Sequence, residues 1–171
     1  MTFAPARSRR TERGCVVTSA SQRRVQRLLA RSYDPGELRR IKRLWVRHSI
    51  AEDRRDIDRL IGTLAPDCVY EIVPSSQRWV GHDGARAFYS ELFAAFPDNG
   101  FELSDIVIGP QGVFEAATLS GTNLGSWAGA PPSGLPMSLQ VLILFPWDPV
   151  AQLFSGERIW FDRGLFDSPR I

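Results

Sequence analysis

The chain of 171 residues holds two cysteines, Cys15 and Cys68, and two histidines, His48 and His82. Two cysteines make no disulfide framework, so reduced thiols in a cytoplasmic protein are the expectation. Neither a CxxC nor an HxxxH spacing occurs, which argues against a dedicated zinc or iron site. No apolar run approaches the ~20 residues of a membrane span. The basic N-terminus lacks the apolar stretch of a secretory signal. P-loop, dinucleotide fingerprint and nucleophile elbow are all missing, and no cofactor is expected. Lysine is nearly absent as well: Lys42 stands alone against twenty arginines, which reads as genome composition.

What is present is a soluble balance, 43% hydrophobic and 23% charged, at a length suited to one domain. The net charge of +2 conceals an asymmetry. Residues 1–33 carry eight arginines against Glu12, a net of +7, and residues 34–171 carry 13 basic and 18 acidic groups, a net of −5. A nucleic-acid reader would hold its positive charge on the folded part, so neither nucleic acid nor membrane is expected as a partner. Residues 1–33 read as a disordered, Arg-rich leader, with Val25, Leu28 and Leu29 enough for at most a short helix. The folded domain is expected over 34–171.

Order begins at Asp34-Pro35-Gly36-Glu37, an N-cap, a first-turn proline and a capping-box acid. Ile41, Leu44, Trp45 and His48 then fall on one helical stripe, with Arg39, Arg40, Arg43 and Arg47 opposite. A polar break at Glu52–Arg55 precedes a second short helix through Ile57, Leu60, Ile61 and Leu64, stopped near Pro66. Cys68–Val73 and Arg78–Val80 read as strands. A third helix opens after Asp83, buries Ala85, Phe88, Tyr89, Leu92, Phe93 and Phe96, and ends at Pro97. The period then changes to that of strands: Phe101–Ile108, Val113–Asn123, a central Leu139–Phe145, and Leu153–Phe161. Gly109–Gly112 is a hairpin turn, Gly125–Pro136 a loop, and Trp147-Asp148-Pro149 the last turn. The expected class is α+β, a cone-shaped curved antiparallel sheet wrapped around three N-terminal helices, with a pocket inside.

Five phrases in order carry a resemblance: Trp79-x-Gly81-x-Asp83-Gly84; Phe88-Tyr89 to Phe96-Pro97-Asp98; Gly121-Thr122-Asn123-x-Gly125; Pro131-Pro132-Ser133-Gly134; and Glu157-Arg158-x-Trp160-Phe161-Asp162. Together they resemble the SnoaL-like polyketide cyclase family of the nuclear transport factor 2-like, or ketosteroid-isomerase-like, superfamily, over about residues 36–168. The resemblance implies the cone fold, a small-molecule ligand and a homodimer. Two positions depart from the family: its strand acid falls near Ile143, between Leu142 and Leu144, and its Gly-Thr-His histidine falls on Asn123. The tyrosine of the steroid isomerases falls on His48, and their base aspartate on Ile72, beside Glu71.

The expected catalytic residues are His48, Glu157 and Glu71. His48 is either a core histidine or a proton shuttle at the pocket. Glu157 is either a pocket base or half of a cross-strand ion pair, and a one-residue bulge would exchange it for Arg158. In an apolar cone the glutamate is expected to hold its proton more tightly and the imidazole less, unless they pair as ions. Tyr70, Trp79, Asn123 and Trp160 are the expected substrate-binding residues. Asp98 reads as structural, His82 as exposed, and Asp162 as the cap of a turn over Arg163–Phe166. The functional expectation is a cofactor-independent acid–base enzyme, of cyclase, isomerase or hydrolase type, on a small apolar oxygenated molecule. A non-catalytic binding module or a dimerisation scaffold of the same fold is the alternative.

Overall fold

The structure, a computed structural model, describes residues 19–162 and residue 164. Helix α1 (Ser19–Leu29) lies in a first unit that ends at Arg31. Val25, Leu28 and Leu29, enough on sequence for a short helix, lie in α1, with Val25 and Leu29 exposed. Residues 1–18 lie outside the described residues.

The second unit begins at Ser32. In it α2 (Pro35–Asp53) starts as its sequence dictates, the Asp34 carboxylate accepting the Gly36 N–H at 2.8 Å. Glu37 does not complete a capping box. It accepts the Trp147 indole N–H at 2.9 Å, tying the first turn of α2 to the sheet. Ile41, Leu44, His48 and Ala51 form the buried stripe. Helix α3 (Ile57–Ile61) is capped by Asp56 and ends five residues before Pro66. The reason is that Leu64 and Ala65 already belong to β1 (Leu64–Ile72), and Pro66 sits exposed in the irregular stretch of that strand between Leu64 and Val69. After β2 (Gln77–Val80), Gly81 at φ +71° turns the chain into α4 (Gly81–Ala95), which buries Ala85, Phe88, Tyr89, Leu92 and Ala95.

The remaining strands are β3 (Gly100–Gly109), β4 (Gly112–Thr122), β5 (Pro136–Asp148) and β6 (Leu153–Phe161). The strand β5 runs on through Trp147 and Asp148, so the last turn falls after the point expected for it. All six strands form one curved sheet in the order β2-β1-β6-β5-β4-β3, with β5 flanked on both sides. The class is α+β, the cone fold, with one correction: β1 and β6 pair parallel, so the sheet is mixed. The polypeptide leaves β1 through a hairpin, α4 and three antiparallel strands before returning beside it, and that return permits the parallel pair.

Strand parity decides which residues face the helices. In β4 the inward positions are Val113, Glu115, Ala117 and Leu119, and in β5 Leu139, Val141, Ile143, Phe145 and Trp147. In β6 they are Glu157, Ile159 and Phe161. A bulge precedes Glu157. Gly156 sits at φ +105° opposite Val69, and a Cβ there would collide with the Val69 carbonyl, so only glycine fits.

Candidate functional site

His48 is fully buried on the α2 stripe, and both ring nitrogens are engaged. Nδ1 lies 2.7 Å from Thr63 Oγ1. The Thr63 hydroxyl donates to the Leu60 carbonyl at 2.6 Å, which leaves its lone pairs to accept the Nδ1–H. With the hydrogen at Nδ1, the neutral ring offers a lone pair at Nε2. Yet Nε2 is 3.1 Å from Glu157 Oε1, itself an acceptor when ionised. Two lone pairs at that distance repel, so the close approach of Nε2, Oε1 and the Tyr89 hydroxyl requires shared hydrogens among the three groups.

Two phenols complete the network. Tyr89 OH donates to Glu157 Oε1 at 2.7 Å and lies 2.9 Å from His48 Nε2. Tyr70 OH, 3.0 Å from Tyr89 OH, is then the donor in that contact. Burial, and after it the charge of Glu157, holds both phenols well above their ordinary range, so they keep their protons. The result is a line of buried donors ending on one glutamate oxygen, with Phe145 and Phe154 packed edge-on against the imidazole. Oε2 of Glu157 is left for the space beyond.

That space is a cavity of about 20 Å³ between α2, α4 and the sheet. Glu52 and Glu157 line it, with apolar walls from Phe88, Leu92, Trp127 and Ile143 among others. It is large enough for one water molecule and too small for an organic ligand. Trp127, from the loop after β4, stacks on Phe161 at 5.3 Å and meets Phe96 edge-on, closing one side.

Two further carboxyl groups face the same interior. Glu115, from β4, is 7% exposed and accepts the Trp45 indole N–H at 2.8 Å. Burial pushes it up to about 7, the charge of Glu157 adds to this, and the Trp45 hydrogen bond opposes it. Glu52, one helical turn beyond His48, has a buried carboxyl although part of the residue is exposed. Burial raises it well above the ordinary glutamate value, and the charges of Glu157, Glu115 and Asp53 act in the same direction. Neither residue was expected. Glu115 sits at an inward position of an alternating strand, and Glu52 at i+4 from His48, so strand parity and helical spacing were the available signals.

The expected site residues divide into two groups. His48, Glu157 and Tyr70 come together in the buried network. Glu71 does not reach it. It faces outward and takes the Arg158 guanidinium at 3.0 Å, a cross-strand ion pair. Trp160 also lies on the outer face, with Arg158 over its ring at 5.1 Å. Trp79 packs edge-on against Phe88 and reaches Glu91 at 3.4 Å, away from the cavity. Asn123 is buried but occupied in holding the loop after β4: its amide donates to the Gly125 carbonyl and its oxygen accepts the Ser133 N–H. Asp98 accepts the backbone N–H and hydroxyl of Thr122, and those bonds lower its pKa. His82 is half-buried and reaches the Leu64 carbonyl. Asp162 accepts the Gly164 N–H, while the rest of the expected turn lies outside the described residues. Cys68 is a buried free thiol pushed up to about 11, which leaves it unreactive at neutral pH; Cys15 lies outside the described residues. Among the described residues no cluster of metal-ligating side chains occurs, and no helix is long and apolar enough to cross a membrane.

Solved structures share the fold. A protein assigned as a SnoaL-like polyketide cyclase from Jannaschia sp. CCS1 is 24% identical, with a TM-score of 0.61 over 78% of this chain and 92% of its own. One of the same assignment from Shewanella denitrificans OS-217 is 16% identical, with a TM-score of 0.64 over 78% and 96%. AclR of Streptomyces galilaeus, assigned as a hydroxylase, is 20% identical, with a TM-score of 0.59 over 74% and 92%. No curated protein matches the sequence. The SnoaL-like polyketide cyclase family itself matches residues 37–149, from the first turn of α2 to the end of β5. Two thirds of the sequence thus follows one family's pattern, and the chain belongs to the SnoaL-like polyketide cyclases as a family.

Proposed function

We propose that the protein is a cofactor-independent acid–base enzyme acting on a small, mostly apolar, oxygenated molecule. The observation that carries this reading is the contact of His48 Nε2 with Glu157 Oε1 at 3.1 Å, beside a cavity whose other walls are apolar apart from Glu52. A carboxylate fed by Tyr89 and His48 at one oxygen keeps the other for a substrate proton. Cyclisation, isomerisation and hydrolysis all need that one capability. The family fits such chemistry, although the residues at the family's acid and histidine positions, Ile143 and Asn123, supply none of it, so the reaction runs from His48 and Glu157.

A second reading rests on the size of the cavity. At about 20 Å³ the cone is nearly filled by its own side chains, as a scaffold or an unliganded binding module would be. The enzyme reading therefore requires the side chains at the mouth, Trp127 foremost, to swing away on binding.

Mass spectrometry of small molecules co-purifying with the protein supplies the candidates, and turnover of each separates the readings. His48→Phe and Glu157→Gln are expected to lose roughly 10²-fold or more in rate while keeping the fold. Turnover equal to wild type in both variants would show that this pair is not the catalytic site, and no turnover of any candidate would leave the binding module. The same reading includes a homodimer through the outer sheet face, where Val107, Phe114 and Leu142 are exposed and Trp160 is partly so.

A further inference from the structure

Resting on the reading of His48 and Glu157 as an acid–base centre, we infer that Glu52 is the proton donor of the same cavity, opposed to Glu157, and that the substrates carry an oxygen that is protonated as a neighbouring C–H bond is broken. Three observations of geometry support this. First, Glu52 follows His48 by four residues on α2, so both project from one side of the helix. Secondly, Glu52 from α2 and Glu157 from β6 line one cavity, the only two carboxyl groups among its lining residues. Thirdly, their surroundings differ. Glu157 receives the Tyr89 hydroxyl and faces the His48 ring. Among the described residues, no donor or cation reaches the Glu52 carboxyl.

A carboxylate is stable out of water only where donors or cations surround it. Glu157 has them, in Tyr89 and His48. Glu52 lacks them, and the groups acting on it from α2, β4 and β6 (Asp53, Glu115 and Glu157) are all acidic. The neutral phenols Tyr70 and Tyr89 are held by the Glu157 network. His48 is held by Thr63, Tyr89 and Glu157. Glu52 is accordingly a carboxylic acid at neutral pH. Two carboxyl groups in unlike surroundings across one space are the usual arrangement of an acid and a base.

The step balances without any further reagent. Glu157 Oε2 takes the proton of a C–H bond next to a carbonyl. The released electron pair forms the enol C=C bond, and the carbonyl oxygen takes the Glu52 proton. Glu52 becomes a carboxylate and Glu157 an acid. Reversal at the same or a conjugated carbon, or exchange with water, restores both. Such a donor favours ketones, and lactones or esters whose carbonyl oxygen can point at α2.

The test needs no natural substrate at first. Carboxyl groups of ¹³C-glutamate-labelled protein are followed by NMR at pH 8.5, above the value of about 7 for Glu115. Wild type is expected to show an acid-form carboxyl signal that Glu52→Gln lacks. In Glu157→Gln the titration of that signal should move to lower pH by about one pH unit or more, because a facing charge is gone. If that variant does not fold, Glu115→Gln removes another facing charge and gives a smaller movement in the same direction. An ionised Glu52 at pH 8.5, or a titration indifferent to these charges, would overturn the inference. Turnover distinguishes it from the reading beneath. A wild-type rate in Glu52→Gln with a collapsed rate in Glu157→Gln overturns Glu52 alone, and wild-type rates in both overturn both.

Discussion

Replacing Glu115 by glutamine should make the protein more stable above neutral pH. Glu115 points inward from β4 and accepts one hydrogen bond, from Trp45. Its ordinary value of 4.5 rises to about 7 in the fold, chiefly through burial. The sign follows from linkage. Between these values the native state binds the proton and the unfolded chain does not, so stability is full below about 4.5 and falls as pH rises through 7. The interval is roughly 2.5 pH units at about 1.4 kcal/mol each, hence about 3 kcal/mol lost by pH 8.5. Glutamine keeps an oxygen for the indole N–H and never ionises. The value of about 7 already includes the Trp45 hydrogen bond, which favours the ionised form, so the net gain at pH 8.5 is about 3 kcal/mol. For a domain of this size that is roughly 6–12 °C in Tm. At pH 4.5 wild type and variant should be nearly equal, because both side chains are then neutral. Urea denaturation at pH 4.5, 6, 7 and 8.5 measures the difference directly. A difference that does not change with pH would refute the reasoning, since it would mean that Glu115 ionises like a surface carboxylate.

Other outcomes follow from the same geometry. Gly156→Ala should destabilise by roughly 2 kcal/mol or more, since the residue sits at φ +105° against the Val69 carbonyl; a thermal melt unchanged from wild type would contradict the bulge that turns Glu157 inward. Leu142→Glu, or Phe114→Glu, on the outer sheet face should convert a dimer to monomer by sedimentation at tens of micromolar, and a wild type that is already monomeric there would remove the dimer. A chain beginning at residue 34 should keep its Tm within a few degrees, because α1 leaves Val25 and Leu29 exposed; a large loss would show that the leader packs on the domain.

How far the sequence foretold this arrangement depends on the range of the cause. The α2 stripe through Ile41, Leu44 and His48 is local periodicity, and it emerged as expected. So did the inward face of β6, where Glu157, Ile159 and Phe161 alternate with Arg158 and Trp160. That alternation also excluded Trp160 from the cavity once Glu157 was inside, just as Tyr70 inside puts Glu71 outside on β1. The parallel β1–β6 pair is a long-range contact with no local signature. The start of β1 was obscured by Pro66, which ordinarily ends an element but here occupies an irregular stretch. Glu52 and Glu115 escaped for a different reason. Acidic residues are rarely buried, so Glu52 read as part of a polar break and Glu115 was not singled out. A stripe extended one turn past His48 leads to Ala51 and Glu52. Strand alternation from Val113 to Leu119 leads to Glu115. Asn123 matched the family's histidine position, but in place it holds the loop that carries Trp127.

The proposed reaction depends on Glu157 moving protons to and from carbon. The most direct measurement is deuterium wash-in. A panel of cyclic and aryl ketones and lactones is incubated with the protein in D₂O, and mass spectrometry follows deuterium entering the position next to the carbonyl. Wild type should catalyse exchange in at least one member of the panel, with Glu157→Gln slower by roughly 10²-fold or more and native by circular dichroism. Exchange that is no faster with wild type than with Glu157→Gln across the panel would contradict the claim that this buried carboxylate is a catalytic base.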